Sequence, residues 1–148
     1  MGDPRDLYQN TILDHYRNPR NFRNLIHANR QGEELNPLCG DQICIYLTIE
    51  NRVIKDIGFQ GIGCALATAS ASIMTDHLMG KTEAAAKYIS DCFHQMLSRS
   101  VDSAFDSNTL GDLIVFSGIR EYPIRAKCAL LPWKAMRAAL DNIQESKS

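Results

Sequence analysis

Three cysteines and one aspartate are the residues of this chain best suited to chemistry. Cys39 and Asp41 stand in Asn36-Pro37-Leu38-Cys39-Gly40-Asp41. Pro37 fixes its own φ and biases Asn36 toward an extended conformation. Gly40, without a Cβ, lets the backbone beside Cys39 turn tightly and leaves the sulfur accessible. Side chains two positions apart in an extended chain share a side, so a Cys39 thiolate and the Asp41 carboxylate can reach one ion. The plainer alternative is a reverse turn around a buried thiol, since free Cys is among the most buried residue types. Cys64 closes Gly58-Phe59-Gln60-Gly61-Ile62-Gly63 and stands where an Ala-rich helix begins, a position whose dipole favours thiolate. Cys128 follows Tyr122-Pro123-Ile124-Arg125-Ala126-Lys127. It precedes or opens the last helix, and Arg125 and Lys127 add positive charge beside it. Cys44 and Cys92 sit inside regular elements, and Cys44 reads as packing.

Three thiolates plus the Asp41 carboxylate make a four-donor set close in composition to tetrahedral zinc sites. Three thiolates with a replaceable oxygen donor suit a labile iron–sulfur cluster equally well. The donors are not paired in C-x-x-C knuckles, so spacing leaves both open. The glycine run before Cys64 lacks the Lys-Ser/Thr of a P-loop and the full dinucleotide fingerprint, which argues against phosphate binding. His77 and His94 are lone helix histidines, a type more often at the surface or packed than ligating.

The elements that must position these donors belong to an ordinary globular chain. With 148 residues, 45% hydrophobic and 22% charged, one domain spanning 1–148 is expected, large enough for a real core. A formal net charge of −1 gives no reason to expect a nucleic acid or an anionic membrane as partner. Met1-Gly2-Asp3-Pro4-Arg5-Asp6 has no apolar signal core, and no apolar run approaches the roughly 18 residues of a membrane span. Five cysteines, an odd number, without a secretion signal point to a reducing, cytoplasmic setting.

Along the chain, residues 4–17 read as an amphipathic helix with Asp3 as N-cap, Pro4 at its first position and Asn18-Pro19 ending it. Arg17, Arg20, Arg23 and Arg30 follow, either as a basic docking surface or as a solvated loop. Ile43, Ile45, Leu47 and Ile49 alternate with Cys44, Tyr46, Thr48 and Glu50, the period of a half-buried strand. Asn51-Arg52 turns it into a second strand over Val53–Phe59, an antiparallel hairpin. A helix runs from Cys64 to Gly80 and another from about 83 to 98, capped by Thr82. Residues 98–111 are polar loop, with a short turn around 110–115. Ala129, Trp133, Met136, Leu140 and Ile143 form the apolar stripe of a last helix, in which Pro132 lies in the first turn or makes a kink.

The motifs Asn36-Pro37-Leu38-Cys39-Gly40-Asp41, Gly61-Ile62-Gly63-Cys64-Ala65 and Arg125-Ala126-Lys127-Cys128-Ala129 resemble the three cysteine motifs of the iron–sulfur assembly proteins IscU, SufU and the NifU N-terminal domain. Leu7-Tyr8 to Pro19-Arg20-Asn21-Phe22 is similar too, so the resemblance covers essentially the whole chain. It implies an α+β fold, a small antiparallel sheet of about three strands packed against several helices, with a metal site at one end and a cysteine desulfurase as partner. IscU-type proteins have His before the third cysteine where this chain has Lys127, and nothing like their Leu-Pro-Pro-Val-Lys motif appears around Trp133. The long interval from Cys64 to Cys128, containing Leu110-Gly111-Asp112-Leu113, is similar to the SufU branch. That branch implies zinc on Cys39, Asp41, Cys64 and Cys128, Cys39 as sulfur acceptor with Gly40 giving its loop freedom, a SufS-type desulfurase as donor, and a downstream scaffold or apo-protein as recipient. The alternatives are a [2Fe–2S] scaffold on the same residues, holding iron instead of zinc, and a structural zinc protein that only docks partners.

Overall fold

The computed structural model describes residues 4–37, 40–98 and 106–142. They form α1 (Pro4–Arg17), β1 (Arg30–Asn36), β2 (Asp41–Glu50), β3 (Val53–Ile62), α2 (Ala65–Leu78), α3 (Glu83–Ser98), a short α4 (Ser107–Leu110), a 3₁₀ segment (Gly111–Glu121) and α5 (Pro123–Asp141). The sheet is antiparallel with order β1-β2-β3, and the architecture is the expected α+β arrangement. The period of two in β2 turns Ile43, Ile45, Leu47 and Ile49 toward the helices. It also turns Asp41 the same way, so a carboxylate heads a row of buried aliphatics.

Several stretches differ from the sequence expectation: the loop expected over 98–111 contains α4, and the short turn expected around 110–115 is the longer 3₁₀ segment Gly111–Glu121. β1 is the third strand, and its residues Arg-Gln-Gly-Glu-Glu-Leu-Asn show no apolar alternation. It exists because its backbone pairs with β2 from Arg30↔Leu47 to Asn36↔Asp41 and because α5 packs on it. The second strand, expected over Val53–Phe59, runs on to Ile62, so most of the glycine run before Cys64 belongs to β3. At Gly61 (φ 141°) a Cβ would stand 2.0 Å from the Gln42 carbonyl oxygen, so only glycine allows β2 and β3 to pair there.

Helix and sheet approach closely at Gly32, where an added Cβ would lie 2.1 Å from the Ala135 carbonyl oxygen and 2.5 Å from the Ala139 nitrogen. Both are backbone atoms of α5, so no side chain can move aside. Gly32→Ala is therefore expected to destabilise by about 3 kcal/mol, at the upper end of ordinary overpacking, read as a lower urea midpoint. An unchanged midpoint would show that α5 can lift off β1 at no cost.

The arginines after α1 are largely spent inside the chain. Arg20 pairs with Asp14, Arg23 with Asp56, and half-buried Arg30 with Glu83 and the Leu140 carbonyl. That leaves little of a free basic surface. The α1 segment itself is anchored by His15, buried, whose Nδ1 lies 2.7 Å from Ser72 Oγ. The same hydroxyl accepts the Arg20 N–H at 2.8 Å. Burial, with Arg20 adding to it, holds the His15 imidazole below its ordinary value, against the pull of Asp14, Asp76 and Asp112. The unfolded chain then takes up the proton first. Stability is full above the ordinary histidine value near 6.5 and declines as pH falls through it. Melting temperature should drop between pH 7 and 5, and His15→Gln should flatten that slope. The lowered carboxylates Asp14 and Asp106 act only below their ordinary value of 3.8, so the two windows separate. A slope that persists unchanged in His15→Gln would assign it elsewhere.

Candidate metal centre

The site lies where the start of β2, the start of α2 and the second turn of α5 meet. Cys64 is the N-cap of α2 (φ −65°, ψ 171°), and its sulfur accepts the Ala67 N–H at 3.5 Å. Its own N–H donates to Asp41 Oδ1 at 3.0 Å. This bond ties the end of the sheet to the beginning of the helix. Cys128 projects from α5 and is 6% exposed. A carboxylate oxygen of Asp41 and the sulfurs of Cys64 and Cys128 all lie within 4.8 Å of one another. Among the described residues no other three such donors come together.

Cys128 is placed differently from the sequence expectation. The helix does not begin there: it starts at Pro123, with Tyr122 as N-cap, and Pro132 is interior. Cys128 therefore sits beyond the first turn, to which the dipole's effect is confined. Of the two cations expected to assist it, Arg125 lies over the Tyr122 ring, 4.8 Å from its centroid, and Lys127 is exposed. Cys64 does cap its helix as expected, yet its thiol is pushed up rather than down. Burial is the largest cause and Asp41 adds to it. The Ala67 N–H and the Cys128 thiol pull the other way and lose.

Cys39 lies outside the described residues. Of its surroundings, Gly40 has φ 72° and donates its N–H to the Asn36 carbonyl at 2.8 Å, the left-handed conformation that glycine adopts at no steric cost. Cys44 and Cys92 do not join the cluster. Cys44 accepts a hydrogen bond from Gln31 Nε2 at 3.3 Å on the outer face of the sheet. The neighbouring Tyr46 phenol, pushed up to about 12, owes that first to its hydrogen bond with Cys44. His77 Nε2 lies 3.0 Å from the Thr109 carbonyl, and exposed His94 lies 3.3 Å from Ser98 Oγ. Neither reaches the site.

The donor set fits a thiophilic divalent cation on the molecule's own terms. Asp41 is 4% exposed, and its Oδ2 has no hydrogen-bond partner among the described residues. A buried carboxylate oxygen left without a donor is costly. Beside it are two thiols, one held protonated by burial. A cation here would satisfy the oxygen and deprotonate the sulfurs together. The orphaned oxygen is what sequence reasoning could not find, because only packing removes water from Asp41.

The family model for the NifU-like N-terminal domain matches residues 7–129. The zinc-dependent sulfurtransferase SufU of Bacillus subtilis is 37% identical over 131 residues, covering 88% of this chain and 86% of that protein. The iron–sulfur cluster assembly scaffold protein IscU of Thermotoga maritima is 37% identical over 138 residues, covering 93% of this chain and 94% of that one. Among solved structures, a SufU described as a cluster assembly scaffold for the SUF system, from Fervidobacterium islandicum AW-1, superposes with a TM-score of 0.81 at 33% identity, over 88% of this chain and 93% of that chain. A NifU-like N-terminal protein from Brucella abortus gives 0.84 at 25% identity, over 95% and 96%.

Proposed function

This chain belongs to the family of NifU-like N-terminal domains of iron–sulfur cluster assembly, and from that premise we propose that it is a zinc-dependent sulfur acceptor serving a cysteine desulfurase. The observation that carries the reading is the convergence of Asp41, Cys64 and Cys128 within 4.8 Å around a buried carboxylate oxygen that no donor among the described residues satisfies. Asp41, Cys64 and Cys128 would hold the metal, with Cys39 as the fourth donor. When bound, zinc supplies the positive charge that keeps these thiols as thiolates at neutral pH.

Cys39 is the acceptor. Its thiolate attacks the outer sulfur of the desulfurase persulfide, a new S–S bond forms on Cys39, and the old one breaks to release the desulfurase cysteine as thiolate. The transferred sulfur keeps its proton, so no external oxidant or reductant is needed. Gly40 gives the loop its freedom, and Asp41 holds the Cys64 end of the site in place through the Cys64 N–H. A SufS-type enzyme is the donor, an apo-protein or downstream scaffold the recipient, and a reducing cytoplasm the setting in which these thiols persist.

Protein purified without oxygen is expected to contain near-stoichiometric zinc and no visible charge-transfer bands. A stable [2Fe–2S] spectrum that survives added zinc would instead establish the scaffold reading, which the equally similar scaffold protein from Thermotoga maritima favours. Lys127 favours zinc, since an exposed ammonium beside Cys128 offers no imidazole ligand. Lys127→His is accordingly expected to raise retention of a cluster reconstituted with iron and sulfide, followed by visible absorbance. If retention stays at the parent level, position 127 does not decide between the two metals.

A further inference from the structure

The last helix carries a proline where helices tolerate it least. Pro132 is buried inside α5, four residues after Cys128. Proline has no N–H to return to the residue four positions back, and its ring crowds that residue's carbonyl, which opens the helix at that turn. The turn is the one bearing Cys128.

A second helix grips the same turn. Ser70 of α2, fully buried, donates its hydroxyl to the Ala129 carbonyl at 2.6 Å and accepts the Trp133 indole N–H at 3.1 Å. Trp133 is held in turn by the core, with its ring 5.1 Å from that of Phe93. The helix that supplies Ser70 is the one that Cys64 caps. A single hydroxyl thus joins the helix beginning at one thiol to the turn of α5 that carries the other.

We propose that Pro132, Ser70 and Trp133 are positioning residues for Cys128: the proline opens α5, and the Ser70–Trp133 bridge sets how far, which brings the Cys128 sulfur within reach of Cys64 and Asp41. The use of the thiols rests on the metal reading above, but their placement does not. Ser70 reaches α5 at the Ala129 carbonyl and at the Trp133 indole, so its effect on the site passes through α5. A proline that served only to shape the core around Trp133 would leave the thiols where they are when it was removed.

The test is made with two substitutions. Pro132→Ala returns the missing backbone donor, and Ser70→Ala removes the bridge. In a Cys39→Ser background stripped of metal, diamide oxidises Cys64 and Cys128 to a disulfide and itself takes up the two hydrogens. Closure is followed by alkylation and mass mapping. Both substitutions are expected to slow closure severalfold, while alkylation of Cys44 proceeds as in the background protein. With Cys39 present, zinc affinity measured against a chromophoric chelator should fall about 10- to 100-fold, the usual cost of losing groups that orient metal ligands. Should Ser70→Ala fold poorly, Pro132→Ala decides by itself, since it adds a helical hydrogen bond rather than removing one. Disulfide closure at the background rate in Pro132→Ala overturns the positioning role whatever the metal does. Slowed closure in a protein that takes up no zinc upholds it and removes the metal reading instead.

Discussion

After incubation with a cysteine desulfurase and cysteine, the persulfide is expected on Cys39, and Cys39→Ser should abolish stimulation of the desulfurase while retaining part of the metal affinity. A transferable thiol needs thiolate character and the mobility to meet a partner's persulfide in line. Cys64 lacks that mobility: its sulfur receives the Ala67 N–H, and its backbone is tied to Asp41. Cys128 lacks it more completely, in a buried helical turn at 6% exposure. Cys39 stands between Pro37 and Gly40, the latter at φ 72° with nothing within 4 Å of where a side chain would begin. Mass mapping after trapping with an alkylating reagent reads the outcome. Label on Cys128 would overturn the role of Cys39 while leaving the shared metal untouched.

The second large effect is on metal and stability together. Cys64→Ser or Cys128→Ser is expected to release zinc, because each removes one donor from a set that converges only in the folded chain. Binding to the folded state alone stabilises by about 4 kcal/mol when free metal exceeds the dissociation constant a thousandfold. For a chain of about 150 residues that corresponds to a melting temperature lower by about 8–16 °C once the metal is lost. Cys44→Ser and Cys92→Ser should keep both metal and melting temperature, because neither sulfur belongs to the cluster. Zinc lost from Cys44→Ser and kept by Cys64→Ser would sink the ligand assignment.

Local physics explains what was legible beforehand. The β2–β3 hairpin follows from alternation and an Asn-Arg turn, in which Asn51 and Arg52 both adopt positive φ. α3 begins after Thr82, whose hydroxyl accepts the Ala85 N–H, and spans Glu83–Ser98 as its pattern indicates. α1 ends at Arg17, before Asn18-Pro19. The start of α5 is not legible in the pattern because the apolar stripe begins only at Ala129, whereas the helix starts earlier, with Pro123 in its first turn. β1 escaped because an edge strand needs no apolar row when its pairing is decided by a neighbour.

By itself, the sequence determined which donors this protein owns and that Cys64 stands at the boundary of an element, where it caps α2. Turn residues, caps and side-chain period act over a few positions and can be read from a few positions. Tertiary structure alone decided that Asp41, Cys64 and Cys128 meet, that Cys128 rides inside a helix, and that Cys64 is pushed toward its protonated form despite capping a helix. Burial is the reason in each case. It sums over residues far apart in the chain, and at Cys64 the water it removes outweighs the N–H that the helix presents.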